Sequence, residues 1–274
     1  MDQAGSWPES VPPKVNLDQP SAARMYDYYL GGAHNFAIDR EAAERAIAAL
    51  PATVAGARTN RAFLQRAVRF LVGSGIRQFI DLGSGIPTSG NVHEIAQLGD
   101  PEARVVYVDI DAVAVTHGQA VLAGNDRTAF VHADMRDVDA VLAAPELRRV
   151  IDFDQPIGLL MVAVLHFVPD SDGLAGVLGR YREALPAGSY LALSHMSMTG
   201  QPREFLERFE KVYANTANPV VLRSQEEISA LFDRYELVEP GVVTLPLWRP
   251  DGISYFTDDP ERFPGFAGVA RKTT

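Results

Sequence analysis

FIDLGSGIPTSG, residues 79–90, runs from a mostly apolar stretch into Gly83, Ser84 and Gly85 and then meets Pro87. This reads as a buried strand delivering the chain to a ligand-binding turn, because glycine permits the sharp bend and lets a ligand approach the backbone. Several ligand types use such turns, and the neighbours discriminate among them. A phosphate-cradling P-loop needs a glycine-lysine-Ser/Thr ending, yet no lysine lies between Lys14 and Lys211. A dinucleotide turn typically has a third glycine, where this chain has Thr88. Asp81, two positions before Gly83, would repel a pyrophosphate and attract an ammonium group. The turn therefore favours a cationic ligand without phosphates.

Outward from this turn, apolar runs of strand type alternate with helical patterns: RQFIDLG, ARVVYVDI, TAFVHAD, IGLLMVAVLHF and SYLALSHMS read as buried strands. Between them, DAVAVTHGQAVLAG and GLAGVLGRYREAL carry apolar residues at helical spacing. The alternation predicts an α/β fold, a Rossmann-like doubly wound sheet of seven strands with GVVTLPLW and GFAGVAR as its last pair. Two further helices precede that pair, PREFLERFEKVY and SQEEISALFDRY, the second opened by a Ser224–Glu227 capping box. Two more aspartates then fall at strand ends. Asp109 ends the second strand, where an acceptor can take both hydroxyls of a ribose. Asp134 ends the third, where it can accept from an adenine amine while the backbone amide of Met135 meets a ring nitrogen. S-Adenosyl-L-methionine satisfies all three positions, since it carries an ammonium, a sulfonium, a ribose and an adenine.

With these residues in place, the sequence resembles the class I S-adenosylmethionine-dependent methyltransferases, from FIDLGSG through VVYVDIDAVAV, HADM, IGLLMVAVLHFVPD and LPAGSYLALS. With SAARMYDYYLGGAHNFAIDREAAE and RTNRAFLQRAVRFL included, nearly the whole chain is similar to a bacterial methyltransferase family long catalogued as a domain of unknown function. The resemblance implies the fold and the cofactor, not the acceptor. The residues expected to contact the cofactor are Asp81, Gly83, Ser84, Gly85, Asp109 and Ile110, followed by Asp134, Met135 and Val162. His166, just after the fourth strand, is the candidate general base.

Residues 18–75 read as wholly helical and are expected to form a lid over a cofactor-binding domain spanning 76–274. In MYDYYLGGAHNF, Tyr26, Tyr29 and Phe36 surround a Gly-Gly pair, and aromatic faces can hold a sulfonium. Arg58, Arg61, Arg66 and Arg69 fall mainly opposite the apolar stripe of the following helix, a pattern of a solvated basic face or, alternatively, of a face for an acidic substrate. Residues 1–17, with three prolines and no signal-peptide pattern, read as a flexible tail.

Composition bounds the function classes. A net charge of −10 over 274 residues opposes non-specific binding to nucleic acid or an anionic membrane. The longest strongly apolar run, 157–168, is too short for a spanning helix. The chain has no cysteine, so thiolate metal sites and cysteine nucleophiles are excluded and a cytoplasmic location is expected. The histidines show no metal-type spacing, so no metal is expected. The fourth strand lacks the Asn/Asp-Pro-Pro-aromatic pattern resembling enzymes that methylate base amines, which leaves an oxygen or nitrogen of a small molecule as the expected acceptor. Two other readings remain open here: a cofactor-binding sensor without catalysis, and a nicotinamide-dependent oxidoreductase on the same kind of sheet.

Overall fold

The computed structural model describes residues 15–88, 90–214, 216, 219–252, 255–256 and 259–274. The predicted alternation is present. Strands β1 (Gln78–Leu82), β2 (Arg104–Asp109), β3 (Thr128–His132), β4 (Gly158–Val162) and β5 (Tyr190–Met196) run parallel. The antiparallel β8 (Gly265–Arg271) pairs with β5 and also with two short pieces, β6 (Glu236–Leu237) and β7 (Val243–Thr244). The strand order is β3-β2-β1-β4-β5-β8-β6, with β7 beside β8. Order reverses between β1 and β4, the crevice at which open parallel sheets bind ligands.

The last strands depart from expectation in detail. GVVTLPLW supplies only the two residues of β7, because Pro246 turns the chain into a 3-10 turn at Leu245–Leu247, and proline lacks the amide that a ladder needs. The main path has seven strands, but its last member is the unexpected β6, and β7, the expected sixth strand, is a spur beside β8, making eight in all.

Ten α-helices occur among the described residues. Before the sheet come α1 (Ala22–Tyr29), α2 (Ala37–Ala49) and α3 (Thr53–Gly73). Within it lie α4 (Val92–Gly99), α5 (Ala112–Val121), α6 (Val138–Ala143), α7 (Pro145–Val150) and α8 (Leu174–Ala184), and after β5 come α9 (Arg203–Tyr213) and α10 (Gln225–Ala230). The capping box at Ser224 starts α10, with the Ser224 hydroxyl accepting from the Glu227 amide at 3.2 Å.

The helices cover both sheet faces. Leu147, Tyr181 and Ile228 pack with Ile80 and Val106 on one side. On the other, Phe63, Val68 and Leu71 of α3 join Phe79, Val105 and Trp248. Helix α3 is thus a layer of the sheet's own core, whereas Met25, Tyr29, Ala43 and Ala46 of α1 and α2 form a separate cluster.

One expected surface residue is internal: Arg66 is buried and donates to the carbonyls of Trp248 (2.9 Å) and Leu245 (2.8 Å). The arginine stripe is therefore not uniformly solvated; Arg66 satisfies a turn that would otherwise carry two bare carbonyls. Most of the expected N-terminal tail lies outside the described residues. Val15 packs against the sheet's core cluster, and the Asn16 carbonyl accepts from Arg24 at 3.1 Å.

Candidate functional site

The C-terminal edge of the sheet opens into a cavity of about 480 Å³, a size typical of small-ligand sites. Asp81, Gly83, Ser84 and Gly85 line it from the glycine turn, and Asp109, Ile110, Asp134 and Met135 from the next two strand ends. Val162, His166, Tyr26 and Tyr29 complete the set expected from sequence. Phe36 is not part of this wall; its ring lies beneath the Arg24 guanidinium, 5.5 Å from the centroid.

The turn favours glycine at both positions and excludes any side chain at the first. Gly83 and Gly85 both have φ of +67°, and a Cβ on Gly83 would lie 2.1 Å from Cγ2 of Val164. The Gly85 amide donates to Asp109 Oδ2 at 2.7 Å, while Asp109 Oδ1 accepts from the Asp111 amide at 2.8 Å. A single carboxylate thereby ties the turn to the start of α5.

Two carboxyls here are buried, Asp81 and Asp109. Burial pushes Asp81 up to about 7, with Arg61 acting downward and Asp109 upward. Burial also pushes Asp109 up to about 6, opposed by the amides of Asp111 and Gly85. A desolvated pair of acids whose ionisation is this costly is a place where an added cation is strongly favoured. Asp134 differs. Burial acts upward on it, but its bonds with Arg136, 3.0 and 2.9 Å from Nε to the two carboxylate oxygens, hold it below the usual range.

Several further residues line or brace the cavity, of which the sequence offers only Arg61, as part of a basic face or a face for an acidic substrate. Arg61 lines it from α3, donates from Nη2 to Asn91 Oδ1 at 2.9 Å, and has a buried Nε without a partner. Ser84 Oγ is likewise buried and unpartnered. Arg24, buried, pairs with Asp39 at 2.7 Å and reaches Asp111 at 3.4 Å. Ser21 donates its hydroxyl to the same Asp111 carboxylate at 2.6 Å, so α1 is bolted across the start of α5. The available signal was the polar pair Asn60-Arg61 interrupting an apolar helix, and nothing local says which way it points.

A second polar chain crosses the cavity floor. Ser194 on β5 donates to Asn60 Oδ1 at 2.6 Å, and Asn60 Nδ2 donates to the Tyr26 hydroxyl at 2.9 Å. Tyr26 in turn donates to the Ala57 carbonyl at 3.0 Å. The Ser194 hydroxyl also accepts from the amide of Ala163 at 2.9 Å, whose φ of +58° is uncommon outside glycine.

The histidines at the far end are both neutral. His195 Nδ1 must donate to the Met196 carbonyl (2.6 Å), leaving Nε2 to accept from Arg223 (2.7 Å). Burial, together with Arg223, brings His195 down to about 4. His166 packs edge-on to it, ring centroids 5.4 Å apart. Burial, then His195 and Arg223, push His166 well down, and its Nδ1 is buried with no hydrogen-bond partner. His195 has both nitrogens committed; His166 retains capacity. Among the described residues, no group of three His, Asp or Glu side chains could hold a metal ion, and no helix is long and apolar enough to cross a membrane.

A family model described as S-adenosyl methyltransferase matches residues 8–273. A Thermobifida fusca structure provisionally named a methyltransferase is 42% identical over 96% of this chain and 98% of its own, with a TM-score of 0.88. A DUF574 family protein from Streptomyces avermitilis is also 42% identical, over 93% and 98%, with the same TM-score. No curated protein gave a significant match. The chain belongs to the S-adenosyl methyltransferase family, enzymes whose methyl donor is S-adenosylmethionine.

Proposed function

We infer that the acceptor is a small molecule methylated on oxygen or nitrogen, and that the cavity holds donor and acceptor side by side. The observation that carries the cofactor assignment is a desolvated acid and an arginine with spare hydrogen-bonding capacity lying together beside the glycine turn. Asp81 is buried and hard to ionise alone, and Arg61 Nε is buried without a partner. An amino acid carries both complements, an ammonium for Asp81 and a carboxylate for Arg61. On this reading Asp109 takes the ribose hydroxyls, and Asp134 with the Met135 amide takes the adenine. Tyr26 and Tyr29 close the methionine end.

When bound, the donor supplies a methyl group already activated on a sulfonium. The protein then has to align the acceptor, exclude water and take up a proton where one is lost. His166 is assigned that last task because it lines the cavity beside His195 and, unlike His195, has a ring nitrogen without a hydrogen-bond partner. Helices α1 and α2, with their own core, are proposed to act as the lid, anchored through Arg24. The net charge of −10 disfavours nucleic-acid substrates, and the absence of cysteine suits a cytoplasmic enzyme.

Calorimetry with S-adenosylmethionine, S-adenosylhomocysteine and NAD on the wild type and on Asp109→Ala tests the assignment. Micromolar binding of the first two, lost in the variant, is expected. Binding of NAD alone, or equal binding by the variant, would remove these residue roles.

A further inference from the structure

The cavity is chemically split. Its carboxylates, Asp81, Asp109, Asp111 and Asp134, all sit at or just after the ends of β1, β2 and β3, and its arginines, Arg24 and Arg61, come from the helices facing them. From Val162 onward, no described residue in the wall is an acid, a lysine or an arginine. That half is aromatic. Phe205, Phe209 and Tyr213 recur every four residues and so form one stripe along α9. The Phe205 and Phe209 rings are near-parallel (19°, centroids 6.1 Å), and Phe209 and Tyr213 are 4.9 Å apart at 34°. Phe167 approaches Tyr213 from the β4 side at 6.4 Å.

The polar atoms within this half are sparse and uncharged. The hydroxyls of Tyr29 and Tyr213 face one another at 3.5 Å, and burial pushes both phenols up, so they stay protonated. His166 and His195 are both pushed down and stay neutral. A charged acceptor would enter a desolvated wall in which no lining residue carries a charge, and the nearest cation, Arg223 behind His195, is already paired with Asp170 at 2.6 Å.

We propose that the α9 half of the cavity is an acceptor subsite for an uncharged, planar aromatic molecule bearing a phenolic hydroxyl, held between the α9 stripe and Phe167 with its hydroxyl toward His166. Flat π-faces match such a slot because offset and edge contacts add to simple area burial. The proposal rests on the methyl-transfer reading above and narrows it to oxygen. A neutral imidazole takes the proton of a phenol, whose hydroxyl ionises near about 10, far more readily than that of an aliphatic alcohol. In the step, the phenolic proton passes to the His166 imidazole and the oxygen forms a bond to the methyl carbon. The carbon–sulfur bond breaks with its electron pair remaining on sulfur, which leaves as a neutral thioether.

The test uses the full chain loaded with S-adenosylhomocysteine, whose own binding is measured first by calorimetry. The probes are 2-naphthol, its saturated counterpart decahydro-2-naphthol, and the anionic 6-hydroxy-2-naphthoate. Expected is 2-naphthol binding at least about tenfold tighter than either comparator, the size of one or two aromatic contacts. Tyr213→Leu and Phe209→Leu should each weaken 2-naphthol by roughly fivefold or more while S-adenosylhomocysteine affinity holds, and Tyr213→Phe should restore it. Equal affinity for the saturated alcohol or the anion, naphthol binding indifferent to these variants, or no naphthol binding to the loaded protein would overturn the subsite and leave methyl transfer intact. Failure of S-adenosylhomocysteine to bind would instead remove the reading on which the subsite rests.

Discussion

The two halves of the cavity solve opposite problems with the same sheet edge. At the ends of β1–β3, acids and arginines are buried beside one another, and Asp81, Asp109, Arg61 and Arg24 each depend on a charge or amide placed opposite them. Beyond β4, no lining residue carries a charge, and the polar atoms meet neutral groups, as in the Tyr29–Tyr213 contact, or the Arg223 guanidinium that stands behind His195. Buried charge is costly unless matched, so the first half is specific and sensitive to substitution, whereas the second selects by shape and polarity. If this contrast is right, changes in the first half should be large and pH-dependent, and changes in the second modest.

The largest expected effect lies in the clamp beneath the acidic half. Arg24→Met strands the fully buried Asp39, and urea unfolding should show a loss of about 3–5 kcal/mol. A loss under about 1 kcal/mol would mean that the clamp is not the anchor of α1. Next, Asp109→Asn replaces an acceptor of two backbone amides by a group that also donates. Losing charge-assisted bonds of about 1.5–3 kcal/mol each should weaken S-adenosylhomocysteine by about a hundredfold, measured by calorimetry, with 2-naphthol affinity largely kept.

The third prediction is a pH profile. Asp81 has its folded value raised to about 7, so in the ligand-free protein it holds its proton more tightly folded than unfolded. Stability from this group should therefore fall as pH rises from about 4 towards 7. Binding an ammonium requires the ionised form, so S-adenosylhomocysteine should bind about tenfold more weakly at pH 6 than at pH 8. Asp81→Asn should flatten that profile; an unchanged slope would reassign it to another group. The smallest effect is expected at the boundary between the halves. Tyr26→Phe removes the partner of Asn60 Nδ2 and should cost about 1 kcal/mol in unfolding free energy without altering the pH profile.

Of the two halves, the acidic one is the more legible in the sequence. Gly83, Gly85, Asp109 and Asp134 announce themselves because a strand, its turn and its terminal acid are neighbours in the chain. The Ser224 capping box is readable for the same reason. Arg66 misleads because its side of α3 looks polar by period, yet the turn at Leu245–Trp248 reaches over it with two carbonyls. Arg61 carries the same ambiguity. The α9 stripe is visible as apolar spacing, but its partners Tyr29 and Phe167 lie far away in sequence.

The sequence by itself determined the parallel sheet, the glycine turn and the row of strand-end acids, since each depends on periodicity or on turn chemistry within a few residues. Tertiary structure alone decided which polar groups lost their water. Arg24 became a clamp between Asp39 and Asp111, Arg61 was left with an unmet Nε, and His166 and His195 were driven neutral in an aromatic wall. The physical reason is that desolvation is set by everything packed around a group, and the chain supplies that surrounding from segments as distant as α1, α9 and β5.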